Sequence, residues 1–466
     1  MIIHWHRRDL RATDNHALAK AAMKESIVPA FIIDPSLLTF AAAPRVTFML
    51  ECLSSLRSWY RNCGSDLVIR IGDPQTELPR LTHQFGAHTV VWNTDYSGLA
   101  RERDAAVRET LHDAGIETAS YADTLLHRPG SITTQAGDPY SVYSYFWRKW
   151  RKREPDIPHP TPDATQVKAV SGASLPTLRE LGFEEPEADI PAAGIVAANN
   201  LLESFCDGPI YAYGDRRDVP AADATARLSP HLKWGTVGIR TVIESVRSAK
   251  ADAPNEVAGD SCETFESQLA WRDFYGHVLA AAPGIVSTDF RPFDRPIQWR
   301  EDPDELCAWK NGNTGYPIVD AGMRQLRAES FMHNRVRMIV ASFLTKDLLH
   351  DWRVGYAWFR EKLVDHDTAN DVGGWQWAAG TGTNAQPYFR IFNPVTQGRR
   401  YDPEAEYIRT YVEELETVPP EIIHKWPELD STERTAHAPR YPDPIIDHSV
   451  RRERAIAMFE EARGNQ

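Results

Sequence analysis

Residues 365 to 377 read Asp-His-Asp-Thr-Ala-Asn-Asp-Val-Gly-Gly-Trp-Gln-Trp. Carboxylates at this density can hold the polar parts of a cofactor. Adjacent glycines let backbone approach a flat ring, and indoles stack on heterocycles or pass electrons. Asp365 and Asp367 are two apart, so at most one shares a side with a given arginine. A buried carboxylate needs such a partner or a cofactor group. Trp375 and Trp377 are also two apart. On a helix they point to nearly opposite sides, so one can face a cofactor and the other a ligand.

Other segments offer matching chemistry. Met332-His333-Asn334-Arg335-Val336-Arg337-Met338 opens a helical stretch. Asn334 and Met338, four apart, can line one pocket wall; Arg337 can reach a carboxylate such as Asp365, and Arg335 is free for phosphate. Gln268 and Arg272 are four apart in another helical stretch, as are Trp271 and Tyr275. A face bearing an amide, an indole and a guanidinium can stack on and hydrogen-bond a flat heterocycle. A helix packing its aromatics inward has the same spacing, and the pattern alone favours that plainer reading. Tyr213-Gly214-Asp215-Arg216-Arg217 precedes Thr225-Ala226-Arg227-Leu228-Ser229-Pro230. Hydroxyls and free N–H groups at a helix start make a phosphate seat, although Ser-Pro is also an ordinary N-cap. His333 and His366 have no nucleophile or metal ligand arranged beside them and read as satisfied helix histidines.

The elements that must position these residues divide the chain. Short apolar runs at 1–5, 27–33, 67–71 and 89–92 read as strands, separated by amphipathic segments at 45–61, 77–85 and 101–114. This alternation predicts an open parallel α/β sheet, Rossmann-like, over residues 1–130. No G-x-G-x-x-G follows the first strand; the loop is His6-Arg7-Arg8-Asp9-Leu10-Arg11, so ordinary dinucleotide binding there is not supported. Residues 153–192 are rich in Pro, Ala and acids and read as a surface linker, within an interdomain region set at 131–195. Beyond it, helical spacing at 237–249, 263–282, 320–328 and 334–349 predicts an all-α domain over 196–466. Eight of the 14 tryptophans fall between 271 and 426. They form either aromatic knobs of a large helical core or a stacking, electron-passing array.

Composition narrows the function classes. Hydrophobic residues make up 42% of 466, enough for substantial cores, yet no apolar run approaches the roughly 20 residues of a membrane span. The five cysteines are scattered with no C-x-x-C, so neither a disulfide frame nor a metal site is expected, and a reducing cytoplasm fits. The net charge of −13 argues against a generic nucleic-acid coat but not against an enzyme with a local basic patch. Forty-one arginines against eleven lysines favour the planar fork that grips phosphate. An acidic, lysine-poor composition also suits a high-salt cytosol.

Taken together, the chain resembles class I photolyases that repair cyclobutane pyrimidine dimers, within the photolyase/cryptochrome family, and most of all their haloarchaeal members. The motifs are His6-Arg7-Arg8-Asp9-Leu10-Arg11, Gly315-Tyr316-Pro317-Ile318-Val319-Asp320, Met332-His333-Asn334-Arg335 and Phe389-Arg390-Ile391-Phe392-Asn393-Pro394. Their order and spacing agree over nearly the whole length. The resemblance implies an N-terminal antenna-binding α/β domain and a C-terminal helical domain holding FAD. An electron passing from excited reduced flavin to a flipped dimer in damaged DNA would open its cyclobutane ring. A non-enzymatic cryptochrome photoreceptor is the alternative. By position, the resemblance gives FAD contacts to Tyr213, Thr225, Ala226, Arg227, Leu228, Ser229, Gln268, Arg272, Tyr275, Arg337, Asp365, Asp367 and Asp371. It gives the lesion Gln268, Trp271, Asn334, Met338 and Trp377, the flanking phosphates Arg217 and Arg335, and electron transfer Trp299, Trp352 and Trp375.

Departures from the family pattern sharpen this. Gln268 stands where most such photolyases carry Glu; it can donate hydrogen bonds but supplies neither proton nor charge. Asp371 stands where many carry Asn facing flavin N5, as in plant cryptochromes, and Val372 replaces a common Asn. An ionised carboxylate there would repel a reduced flavin anion. Asn334 and Met338 are histidines in photolyases of (6-4) lesions, so that substrate is disfavoured. Cryptochromes usually add a C-terminal tail, whereas here the sequence given ends at Arg463-Gly464-Asn465-Gln466, which favours repair. The loop Asn93-Thr94-Asp95-Tyr96-Ser97-Gly98-Leu99-Ala100 lacks the Asn-Glu pair of folate-type members. A deazaflavin antenna (8-HDF) is therefore expected in preference to MTHF. A cytoplasmic monomer with no membrane contact completes the expectation.

Overall fold

The computed structural model describes residues 1–464; Asn465 and Gln466, the last residues of the expected helical domain and of the chain end noted above, lie outside the described residues. Five strands, β1 (Ile2–His6), β2 (Ile27–Ile33), β3 (Val68–Ile71), β4 (Thr89–Asn93) and β5 (Glu117–Tyr121), form one parallel sheet in the order β3-β2-β1-β4-β5. The first four follow the apolar runs, because strands covered on both faces need continuous burial. β2 is buried at every position. β5 escapes sequence reading because it is an edge strand, Glu-Thr-Ala-Ser-Tyr, with no fully buried residue. β1 pairs β2 on one side and β4 on the other, so the loops after β1 and β4 diverge and leave a crevice at the carboxyl ends.

Helices Ala43–Asn62, Pro74–Phe85 and Gly98–Asp113 cover the sheet as expected; the short helix His16–Ala22, capped by the Asn15 side chain, is additional. Four further helices carry the site: α1 (Tyr143–Trp150), α2 (Glu256–Ala281), α3 (Asn334–Ser342) and α4 (Thr368–Ala379). The stretch expected as one helix to residue 349 stops at Ser342 and continues as a π turn, Phe343–Asp347. α1 lies inside the region expected to be linker. It buries Phe146 and Trp150, and the Trp150 indole N–H donates to Asp273 Oδ2 at 2.9 Å. This portion therefore packs with the helical core. The proline-rich remainder carries only two short 3-10 turns and is tied to the sheet, the Lys168 N–H donating to the Ile27 carbonyl at 2.8 Å.

Buried ion pairs lock the sheet region to the helices. Arg240 donates to Asp14 Oδ1 at 2.6 Å and also pairs with Asp123, which takes Arg11 at 2.7 Å. Breaking such a pair from one side costs about 3–5 kcal/mol. Gly235 is required where these parts meet: its φ is +68°, and a Cβ there would lie 2.2 Å from the Arg8 carbonyl oxygen.

Candidate functional site

The acid-rich stretch wraps the start of α4. Asp367 is the N-cap, accepting from the Asn370 N–H at 3.1 Å, and its other oxygen takes the Arg8 guanidinium at 2.5 Å. Burial alone would raise the Asp367 pKa, but Arg8, Lys233 and Arg272 outweigh it and hold the carboxyl far below the usual carboxylate range. Asp365 faces the other way: its Oδ2 accepts from Arg337 at 2.8 Å and from the Ser229 hydroxyl at 2.6 Å. The two acids thus take different arginines, as their spacing requires. Asp371 Oδ2 meets His366 Nδ1 at 2.5 Å and accepts the Asp367 N–H at 3.1 Å. His366 is accordingly part of the cluster, and burial lowers its pKa despite the Asp371 charge.

The glycine pair divides its work. A Cβ on Gly373 would fall 2.2 Å from the Tyr275 ring, so Gly373 admits α2 against α4. Gly374 is exposed, and a Cβ there would meet no protein atom within 4 Å. Ser229 begins helix Ser229–Trp234, and Arg227 just before it has φ +46°, a strained backbone conformation for arginine. The Arg227 side chain turns away to Glu329 at 2.7 Å. Leu228, Ala226 and Tyr213 are buried beneath, and Thr225 is half-buried. Arg272 reaches from α2 to the carbonyls of Thr124 and Leu232, at 2.6 and 3.3 Å.

A second wall pairs α1 with α2, while α3 packs on α4. Trp271 stacks face to face on Tyr143, ring centroids 3.7 Å apart and planes at 10°. The Tyr143 hydroxyl donates to the Ser267 carbonyl at 2.5 Å. Gln268 bonds to Ser267 Oγ at 3.1 Å, and the Asn334 amide lies 3.9 Å from Met338 Sδ. Trp377, half-buried, packs edge-on to Phe392. Trp375 is buried against Phe359 and Trp309, Trp352 is buried beside Tyr356 with its N–H on Asp289, and half-buried Trp299 lies against Phe459.

Arg335 differs from expectation. Instead of standing free, it forms a fork on Asp218 at 2.7 and 3.2 Å and lies over the Tyr401 ring. Arg217 approaches the same carboxylate at 3.8 Å. Sequence reasoning also missed Arg8 and Lys233. Burial, helped by Arg8, pushes the Lys233 pKa down to about 7. Tyr143 was missed too, because its helix sits among linker-like residues.

The arrangement fits a large polar cofactor with a flat ring. Asp365 Oδ1 is buried and has no hydrogen-bond partner, a cost unless a ligand supplies the donor. On its exposed side α4 presents bare backbone at Gly374. Among the described residues no helix is long and apolar enough to cross a membrane.

Two family models match the chain. The model described as DNA photolyase matches residues 2–165, and the FAD binding domain of DNA photolyase matches residues 265–461. The deoxyribodipyrimidine photo-lyase of Halobacterium salinarum is 57% identical, covering 100% of both chains. A solved bacterial class III photolyase from Agrobacterium tumefaciens superposes with a TM-score of 0.91 at 35% identity, over 100% of this chain and 98% of that one. A Synechocystis cryptochrome gives a TM-score of 0.89 at 25% identity, over 98% of this chain and 99% of that one.

Proposed function

The chain belongs to the DNA photolyase family, and on that premise we propose how its residues serve light-dependent repair of UV-damaged DNA. It is a repair lyase with an FAD-binding domain. When bound, FAD would supply light-driven electron donation, the chemistry needed to open a cyclobutane pyrimidine dimer.

Asp365, Arg337 and Ser229 anchor the cofactor on one side, and Asp367, held ionised by Arg8, on the other. Tyr213, the Thr225–Ser229 segment, Gln268, Arg272, Tyr275 and Asp371 complete its contacts. The observation that carries this reading is the buried Asp365 Oδ1, which has no hydrogen-bond partner. Gln268, Trp271, Asn334, Met338 and Trp377 bound the lesion; Tyr143 keeps Trp271 flat through their stacked rings. Arg217 and Arg335 take phosphates by exchanging Asp218 for DNA. Extrusion of a damaged base costs less than that of a normal one, which aids selection. Trp375, Trp352 and Trp299 pass electrons from the surface to the flavin.

A deazaflavin antenna bound to residues 1–130, with a connecting region 131–195 whose helix α1 packs on the catalytic domain 196–466, is the organisation we favour. The antenna choice rests on the loop Asn93 to Ala100, which lacks the Asn-Glu pair of folate-type members. We take the protein to act as a cytoplasmic monomer.

The test is removal of dimers from an irradiated oligonucleotide under blue light with the flavin chemically reduced. Absence of turnover would refute the repair assignment. The absorption spectrum of the purified protein, before and after photoreduction, reports flavin and antenna together.

A further inference from the structure

Two of the indoles assigned to electron supply stand in unlike surroundings. Trp375 is buried, and its indole N–H has no hydrogen-bond partner. Trp352 is buried as completely, yet its N–H donates to Asp289 Oδ1 at 2.9 Å. An indole that loses an electron becomes positively charged, with part of that charge at the N–H. A carboxylate placed on the N–H favours the charged form, and a hydrogen bond to an ionised acceptor is roughly twice as strong as a neutral one. Trp375 has no such aid.

The two rings are neighbours. Trp352 opens helix Trp352–Lys362, and Gly355 follows one turn later on the same face. A Cβ on Gly355 would fall 2.1 Å from the Trp375 ring, so this face lies directly against that indole. Arg300, next to Trp299, donates its backbone N–H to the Leu349 carbonyl at 2.8 Å, which brings Trp299 to the start of the same helix.

Arg353 acts in the opposite sense. Its guanidinium lies 4.6 Å from the centre of the Trp352 ring, where a cation opposes oxidation. Two carboxylates share it: Asp289 at 3.0 Å, and Asp351 at 3.0 and 3.1 Å. One guanidinium between two carboxylates leaves the group formally negative, and Asp289 is the member that touches the indole N–H.

We propose that Asp289 is a positioning residue for electron supply. Its carboxylate makes oxidised Trp352 lower in energy than oxidised Trp375, so the hop between them runs downhill. The inference rests on the assignment of Trp375, Trp352 and Trp299 as the route that feeds the flavin. Trp375 gives one electron to light-excited, oxidised flavin; Trp352 refills Trp375, and Trp299 refills Trp352. A thiol in solution, itself oxidised, refills Trp299. Asp289 gains and loses no electron. It holds the positive charge on Trp352 until Trp299 can neutralise it.

The test uses the flavin-loaded full chain carrying Trp299→Phe, in which the route stops at Trp352 and flash absorption follows the oxidised tryptophan directly. Asp289→Asn in that chain keeps an oxygen acceptor but removes the charge. The lifetime of oxidised tryptophan should then shorten about tenfold, the gap between a charged and a neutral hydrogen bond, and Asp289→Glu should restore it. An unchanged lifetime in Asp289→Asn, or no restoration by Asp289→Glu, overturns the proposal. If adding Trp352→Phe to the Trp299→Phe chain leaves the signal as it was, the route itself is wrong, and that failure is distinct from a failure of Asp289. Should Asp289→Asn lose its flavin, Arg353→Gln decides. Removing the opposing cation should lengthen the lifetime, which mere loosening of the packing would not do; an unchanged or shorter lifetime refutes the role of the carboxylate.

Discussion

Asp365 and Arg337, 28 positions apart, meet at 2.8 Å, and the pair leaves one buried carboxylate oxygen without a donor. An acid engaged on one side and open on the other is suited to binding. Asp365→Asn removes the charge that holds the half-buried Arg337. Unpairing one partner of such an ion pair costs about 3 kcal/mol. The purified variant should therefore carry little flavin, read from the ratio of visible to ultraviolet absorbance, and should melt earlier. Wild-type flavin content in this variant would remove Asp365 from the site.

The two glycines of α4 should respond in opposite ways. Gly373→Ala pushes a methyl into the Tyr275 ring and should cost about 1–3 kcal/mol of stability by overpacking. Gly374→Ala meets open space and gains about 1 kcal/mol of helix propensity. Flavin-free Gly374→Ala should melt at or above the wild type, yet its flavin affinity should fall. Unfolding curves with and without added FAD check both parts.

Lys233 ties stability to pH. Its folded pKa of about 7 lies below its ordinary value of 10.5. Between these values the unfolded chain binds the extra proton, so stability attributable to this group rises with pH across that window. In Lys233→Met this component is absent. The difference in melting temperature, wild type minus variant, should grow from pH 7 towards 10; a flat difference would contradict the burial of the ammonium.

Trp299→Phe and Trp352→Phe should separate electron supply from repair. Light-driven reduction of oxidised flavin should fall to near background in both variants. With the flavin reduced chemically, dimer splitting should proceed at the wild-type rate. Unimpaired photoreduction would assign these indoles to core packing.

Asp218 should restrain DNA binding. Asp218→Asn frees Arg335 and Arg217, so affinity for damaged and undamaged duplex should rise together. Arg335→Ala should lower it across sequences and reduce the salt slope by about 0.9 for the lost phosphate. Titrations at several salt concentrations distinguish this from an arginine that only braces Tyr401.

The sequence revealed what is local or periodic. β1 to β4 were legible because continuous apolar runs are what a sheet covered on both faces demands, and the Arg337–Asp365 contact followed from helix spacing and the cost of a lone buried acid. β5 was hidden by its polar edge position, and α1 by the prolines that follow it. The Asp218–Arg335 fork and the Arg8–Asp367 pair join residues 117 and 359 positions apart. No pattern within a single segment contains such contacts. His366 reads in the sequence as a satisfied helix histidine, with no nucleophile or metal ligand beside it, and the partner that satisfies it is Asp371.

The bond from Arg8 to Asp367 also sets a timetable for biosynthesis. Arg8 leaves the ribosome early, while the acid it must meet is made 359 residues later. At typical elongation rates of about 5–20 residues per second, this is a wait of roughly 20–70 s. Through that interval the sheet can form, but the arginine at its crevice has no Asp367 to close on. Closure of the flavin pocket therefore belongs to the nearly completed chain, and nascent chains stalled before α4 should associate with ribosomes in a colourless, cofactor-free state.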